Sequence, residues 1–371
     1  MYKLTGEFRL AGLQKRWNMR PIIGITMGDP ASIGPEITIK ALSEQSVYEK
    51  TRPIVIGDIS VMQKALDTLN KVYPAGAGGV KAFDLKLHRV DTVEEASFDF
   101  GTIDVMDMGL VDIDELRIGE VSEMAGEAAF RYVVKDIELA MAGKVDATVT
   151  NAFNKAAINL AGHHYSGHTE VYAEYTNTKH YTMMLAHEDL RVVHVSTHVS
   201  LREACDRVGK ERVLAVIRIA DDACRQLGIQ DPRIGVAGLN PHSGEGGLFG
   251  REEIEEIIPA MEEARKEGIN VDGPVPPDTV FSKALGGWYD IVVAMYHDQG
   301  HIPLKVKGFV YNREKQKWDA VSGVNITLGL PIIRVSVDHG TAFDQAGTGT
   351  ATALSLLNSI EYAALMAANR K

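Results

Sequence analysis

The chain is poor in cysteine. Cys205 and Cys224 are the only two in 371 residues, both in helix-like segments and neither with metal-type spacing. That argues against a disulfide framework and a thiolate metal centre, and reduced, partly buried thiols in a cytoplasmic protein are expected. No run of about 18 apolar residues occurs, so no membrane-spanning helix is expected. Lys/Arg-rich blocks are absent and the formal net charge is −11, which argues against nucleic acid as a main partner, although a few local cations suffice for an anionic substrate. The GxGxxG fingerprint is missing after the first strand, so any dinucleotide must use another loop. There is no internal repeat and no low-complexity linker, so a lobe boundary must be a crossing of the sheet. Residues 1–19, MYKLTGEFRLAGLQKRWNM, scatter their charges and lack a continuous apolar core. They are read as an extension expected to lack order, not as a signal peptide.

What is present is an alternation of short apolar strands and helices. Strand patterns at Pro21–Met27, Arg52–Gly57, Val145–Thr150, Tyr181–Ala186, Arg191–Val195 and Arg233–Leu239 are interleaved with helices at 123–141, 211–226 and 252–267. This is the signature of an α/β fold with a largely parallel sheet. The most informative stretch is Tyr289–Lys305, YDIVVAMYHDQGHIPLK. Ile291 to Met295 suit a strand covered on both faces. The polar residues after it, His297 and Asp298 first, then stand at a strand's carboxyl end, where open α/β sheets bind ligands. A polar turn that happens to be His-rich is the plainer alternative.

Two more strands end in a lone histidine: RVVHVSTH runs out at His198, and IGVAGLNPH at His242. Taken singly, each is more often a hydrogen-bonded structural residue or a substrate contact. Three at one rim, leaving an open position, favour a catalytic divalent metal. His301 is a further candidate, whereas His88, His163, His164, His180, His187 and His194 are read as surface or structural. Ser166-Gly167-His168-Thr169-Glu170 opens a helix, which suits an anion contact through His168 and Thr169, or simple N-capping by Ser166 or Thr169. The turn Gly28–Glu36 could likewise offer main-chain N–H groups to an anion, or be a plain strand-to-helix turn.

Taken together, GDPASIGPE (28–36), SGHTE (166–170), STH (196–198), GLNPHSGEGG (238–247), AMYHDQGHIPLK (294–305) and GVNITLGLPIIRVSVDHGTAFDQAG (323–347) resemble the 4-hydroxythreonine-4-phosphate dehydrogenase family over nearly everything from Pro21 onward. The resemblance implies an isocitrate/isopropylmalate dehydrogenase-like fold with two α/β lobes around a cleft, here about 20–150 plus 310–371 and 151–309. It implies a homodimer with sites near the interface. It implies a divalent metal, zinc first with magnesium, cobalt or manganese as alternatives, on His198, His242 and His297. Substrate contacts would be His168, Thr169, Lys305, Asn325 and Arg334. The loop carrying His339, Gly340, Ala342, Asp344 and Gly347 would hold the adenosine side of NAD.

The reaction implied is oxidation of a secondary alcohol by NAD, then loss of carbon dioxide from the β-keto acid, with Lys155 or Asp298 as the proton shuttle. The chain departs from the family at Ser32 (usually Gly), near Ala152 (usually a Pro), in the extension 1–19, and in the polar insertion VYNREKQKWDAVS at 310–322. The insertion borders the substrate residues. The phosphate-type contacts keep a phosphorylated four-carbon hydroxy acid of the 4-hydroxythreonine 4-phosphate type in front, with the catabolic 4-phospho-D-threonate or 4-phospho-D-erythronate, or a cis-dihydrodiol dicarboxylate, as alternatives. Outside this class stand a metal-dependent hydrolase, which leaves HGTAFDQAG unexplained, and a non-catalytic metal or metabolite binder.

Overall fold

The computed structural model describes residues 20–74, 82–313, 317–321 and 323–370; the extension 1–19 lies outside them. In chain order the strands are β1 Ile22–Thr26, β2 Arg52–Gly57, β3 Lys86–Val90, β4 Thr102–Asp107, β5 Ala147–Thr150, β6 Thr182–His187, β7 Leu190–His194, β8 Ile234–Ala237, β9 Val271–Val275, β10 Ile291–Ala294, β11 Phe309–Asn312, β12 Lys317–Val321, β13 Val324–Leu328 and β14 Arg334–Val337. Among the described residues, twelve of them make one sheet in the order β3-β4-β2-β1-β5-β14-β13-β6-β7-β10-β8-β9. The insertion at 310–322 contributes to β11 and β12, a separate antiparallel pair.

The sheet is two parallel blocks joined by a seam. β3 to β14 run parallel, β14-β13-β6-β7 alternate, and β7 to β9 run parallel again. Three consecutive antiparallel pairings reverse the sense, so the second block points opposite to the first. The chain crosses between blocks within the sheet. The strands β2, β5, β8 and β10 are short apolar runs buried along almost their whole length, as strands covered on both faces must be.

One packing contact carries a titratable group into the core. The helix Glu123–Met141 lies on β1 at Gly24, where the Asp136 carboxylate occupies the space a Cβ would need. Asp136 is fully buried and neither carboxylate oxygen has a hydrogen-bond partner, and burial pushes its carboxyl well above the ordinary range. The folded chain therefore keeps a proton that the unfolded chain releases above about pH 4. This group's contribution to stability is full below that pH and falls as pH rises, by about 1.4 kcal/mol per unit until the folded carboxyl itself ionises. Asp136→Asn should remove that slope from urea unfolding measured between pH 5 and pH 8. Equal slopes in wild type and variant would mean that Asp136 is ionised in the native state.

Candidate active site

Arg334 opens β14, and its side chain lies across the seam on the face covered by the helix His168–Tyr175. Its Nη1 donates to Thr327 Oγ1 and its Nη2 to Thr150 Oγ1, both at 2.9 Å, and the guanidinium lies 5.5 Å from the Tyr172 ring centre. Arg334 is 2% exposed, its Nε has no partner, and among the described residues it makes no ion pair. Burial lowers its pKa to about 10, opposed by the charges of Tyr172 and Glu170. A buried cation held only by neutral hydroxyls and a ring face is costly to the fold and complementary to an anionic guest.

His168 stands beside it. The ring stacks on Phe153 at 3.7 Å, and Nε2 is buried without a partner. Burial, then the Arg334 and Lys155 charges, hold it neutral, well below the ordinary histidine value. The helix is capped by Gly167 with no side-chain bond, so the capping expected of Ser166 or Thr169 is not what the structure has. Thr169 Oγ1 lies instead 3.4 Å from Thr327 Oγ1. The Asn325 side-chain amide on β13 donates to Met183 Sδ, while its Oδ1 is buried and unpartnered. Lys155 is exposed at the start of the helix Lys155–Leu160, which Asn154 caps.

The imidazoles form the other part of the site. β7, β10 and β8 are adjacent and parallel, so the loops bearing His198, His297 and His242 leave one rim. The rings of His198 and His297 are 5.9 Å apart. Burial lowers the His198 pKa, with the Glu170 charge opposing and those of His297 and Lys155 adding; Lys155 and Glu170 thus bear on both the Arg334 pocket and the imidazoles. His297 Nδ1 lies 2.7 Å from Asp298 Oδ1, which leaves Nε2 for a ligand. This pair fits a divalent ion as two of its donors.

Among the described residues of this one chain no three His, Cys, Asp or Glu side chains form a group that could hold a metal. After β8, Glu253 Oε1 takes the N–H groups of Leu239 and Asn240, and the chain turns left-handed from His242 to Gly246, with the His242 ring beside Phe249.

The stretch after β10 is a helix, His297–Gly308, not a polar turn. Spacing of four puts His297, His301 and Lys305 on one face. His301 stacks on His297 at 3.6 Å and tilts against His194 at 4.7 Å. His194 is fully buried beneath Gly300, and burial brings its pKa to about 3. Lys305 bears electrostatically on Asp338, a largely buried carboxylate after β14. Glu170, His301, Thr150, Thr327 and Asp338 were not singled out as site residues from the sequence, or only weakly. The signals available were the i, i+4, i+8 spacing from His297 and the threonines at alternate positions of β5.

The loop after β14 turns sharply. Ala342 has φ 44 and Gly347 φ 78. His339 Nδ1 bonds Gly340 O, its Nε2 is buried and unpartnered, and Asp344 is exposed. Space beside Gly340 is open. The exposed Asp344 carboxylate and the open space at Gly340 are what this loop leaves for a ligand. Of the cysteines, Cys224 is buried, its pKa pushed up to about 12 by burial, but Cys205 is exposed at a helix surface and not partly buried. No helix among the described residues is long and apolar enough to cross a membrane.

Fold and site together define an α/β protein with a buried cation that has no ion pair among the described residues, and with histidine-bearing loops at one rim of the sheet. The family model described as "Pyridoxal phosphate biosynthetic protein PdxA" matches residues 49–363, and the chain belongs to that family. A relative from Oceanobacillus iheyensis, named "Putative D-threonate 4-phosphate dehydrogenase", is 48% identical over 345 residues, covering 93% of this chain and 97% of its own. The structure of 4-hydroxythreonine-4-phosphate dehydrogenase from Klebsiella pneumoniae is 45% identical with TM-score 0.80, covering 94% of this chain and 98% of the other. A terephthalate 1,2-cis-dihydrodiol dehydrogenase from Burkholderia xenovorans is 30% identical with TM-score 0.64, covering 93% and 98%. The α/β fold is the one these solved structures share, and the family's named members are dehydrogenases.

Proposed function

We propose that this chain catalyses the NAD-dependent, metal-assisted oxidative decarboxylation of a phosphorylated four-carbon hydroxy acid, with D-threonate 4-phosphate as the preferred substrate. The observation that carries the reading is Arg334, a buried guanidinium without an ion pair, beside the unpartnered His168 Nε2. Both suit a phosphate or carboxylate oxygen. The choice of D-threonate 4-phosphate over 4-hydroxythreonine 4-phosphate rests on the names of relatives at 45–48% identity.

In the reaction, the carbinol carbon gives its hydride and the hydroxyl its proton, leaving a ketone β to the carboxylate. The bond to the carboxylate then breaks, carbon dioxide departs, and the carbon left behind takes up a proton. When bound, a divalent ion on His198, His297 and His242 supplies Lewis acidity for the reacting oxygen, and NAD accepts the hydride. Arg334, His168, Thr169 and Asn325 fix one anionic end of the substrate, and Lys305 reaches in from the helix below His297. Lys155 takes the hydroxyl proton and returns one to carbon, a role supported by its charge bearing on both His168 and His198. Asp298 holds the His297 ring. The adenosine side of NAD lies along His339–Gly347. The chain works as a homodimer, a reading favoured by Ile302 and Val306, apolar and exposed on the helix that carries His297.

The test is NADH formation with D-threonate 4-phosphate, 4-phospho-D-erythronate, 4-hydroxythreonine 4-phosphate and a terephthalate dihydrodiol, each with zinc, magnesium or manganese. Preference for D-threonate 4-phosphate is expected. Turnover of the dihydrodiol alone would remove the phosphate reading of the Arg334 pocket.

A further inference from the structure

The turn Gly28–Glu36 does not offer its main chain to an anion, because its groups are already engaged. Asp29 Oδ1 takes Ala31 N at 2.9 Å, and Ser32 Oγ takes Gly34 N at 3.0 Å. The helix that follows, Gly34–Leu42, instead grips the far end of the chain. Glu36 is 3% exposed. Its Oε1 accepts Gly347 N at 2.5 Å and its Oε2 accepts Gly349 N at 2.7 Å.

One turn on, Lys40 Nζ donates to Gly349 O and to Ala351 O, both at 2.6 Å. Tyr73 OH donates to the same Gly349 O at 3.0 Å, and its ring lies 5.5 Å from Lys40 Nζ. At the near end of the loop, Ile33 N donates to Thr341 O at 3.2 Å. Gly347 and Gly349 have φ of 78 and 68, a conformation that lets both N–H groups converge on one carboxylate at little steric cost. Spacing of four on the helix puts Glu36 and Lys40 on one face, so one side takes the loop's donors and the other its acceptors.

We propose that Glu36 and Lys40 are positioning residues for the dinucleotide. With Ile33 N at the near end, they hold the main chain from Thr341 to Ala351 in its binding shape and thereby set NAD affinity without touching NAD. This rests on the reading of His339–Gly347 as the cofactor loop. It gives the GPE motif a task that its own turn does not reveal, since its partners lie more than three hundred residues away.

Glu36→Gln is the sharpest test. An amide can accept only one of the two N–H groups and turns its own N–H toward the other. The dissociation constants of NAD and of D-threonate 4-phosphate would be measured by calorimetry on the metal-loaded full-length enzyme, with a thermal melt. The expected result is an NAD constant raised about tenfold, the change that follows loss of one charge-assisted bond, with that of D-threonate 4-phosphate unchanged. Lys40→Met should shift the same constant in the same direction, and serves if Glu36→Gln does not fold. A folded variant with wild-type NAD affinity overturns the proposal. So does equal weakening of both ligands with a lowered melting temperature, which would make the contact structural only. Wild type that binds D-threonate 4-phosphate but not NAD would instead fail the cofactor reading itself, and the positioning role with it.

Discussion

Arg334→Met is expected to cut kcat/KM for the phosphorylated substrate by about 10²–10³-fold, as truncating one partner of a buried charge pair does, while the substrate-free protein melts no lower than wild type. The combination is unusual and follows from the geometry. The guanidinium is buried among Thr150, Thr327 and the Tyr172 ring with no counter-charge in contact, so the empty fold gains little from its charge and bears its desolvation. Methionine keeps most of the stem's volume. The loss of two hydroxyl partners offsets part of the relief. Arg334→Lys should fall between, since it keeps a charge but loses the fork that takes two oxygens at once. Calorimetry and steady-state rates on the same preparations check both halves. A variant that turns over normally would remove Arg334 from the site. One that fails to fold would mean that the guanidinium belongs to the core and not to a guest.

His297→Ala should have the second large effect: loss of bound metal and a fall in turnover well beyond the roughly 10–100-fold typical of removing a group behind a ligand. The ring is held on three sides, by Asp298 at Nδ1, His301 by stacking and His198 across the gap. His242→Ala carries the more demanding version of the claim, because no group of three metal-holding side chains forms among the described residues of the single chain. His242 sits at φ 53, ψ 28, a backbone that alanine tolerates no better, so His242→Gly is the cleaner variant. Metal content by atomic emission and the melting temperature are the readouts. Both variants should fold and both should lose metal. If the His242 variant keeps metal and rate while the His297 variant loses them, the site is built on the pair His198 and His297 and the third donor is another group.

Much of the architecture was legible because buried strands announce themselves. IVVA in β10 and IGVA in β8 can only be covered on both faces, and the lone histidines beyond them mark the ends. The reversal of sense at the seam was not legible. Nothing in the β13 sequence VNITL separates an antiparallel strand from a parallel one. The helix His297–Gly308 was hidden by Gly300 and Pro303, both poor helix residues, although His297, His301 and Lys305 fall at helical spacing. Asp136 and Glu36 were invisible for another reason. Their roles come from partners far along the chain: Gly24 in one case, Gly347 and Gly349 in the other. Local pattern fixes an element, but long-range contact decides what a polar side chain in it does.

The most direct measurement is the stoichiometry of NADH formed and carbon dioxide released as D-threonate 4-phosphate is consumed by the metal-loaded enzyme. One of each per substrate is predicted, with no turnover of D-threonate lacking its phosphate. NADH without carbon dioxide would make the protein a simple alcohol dehydrogenase. Phosphate release with neither product would mean that the imidazole rim serves hydrolysis, and would contradict the account.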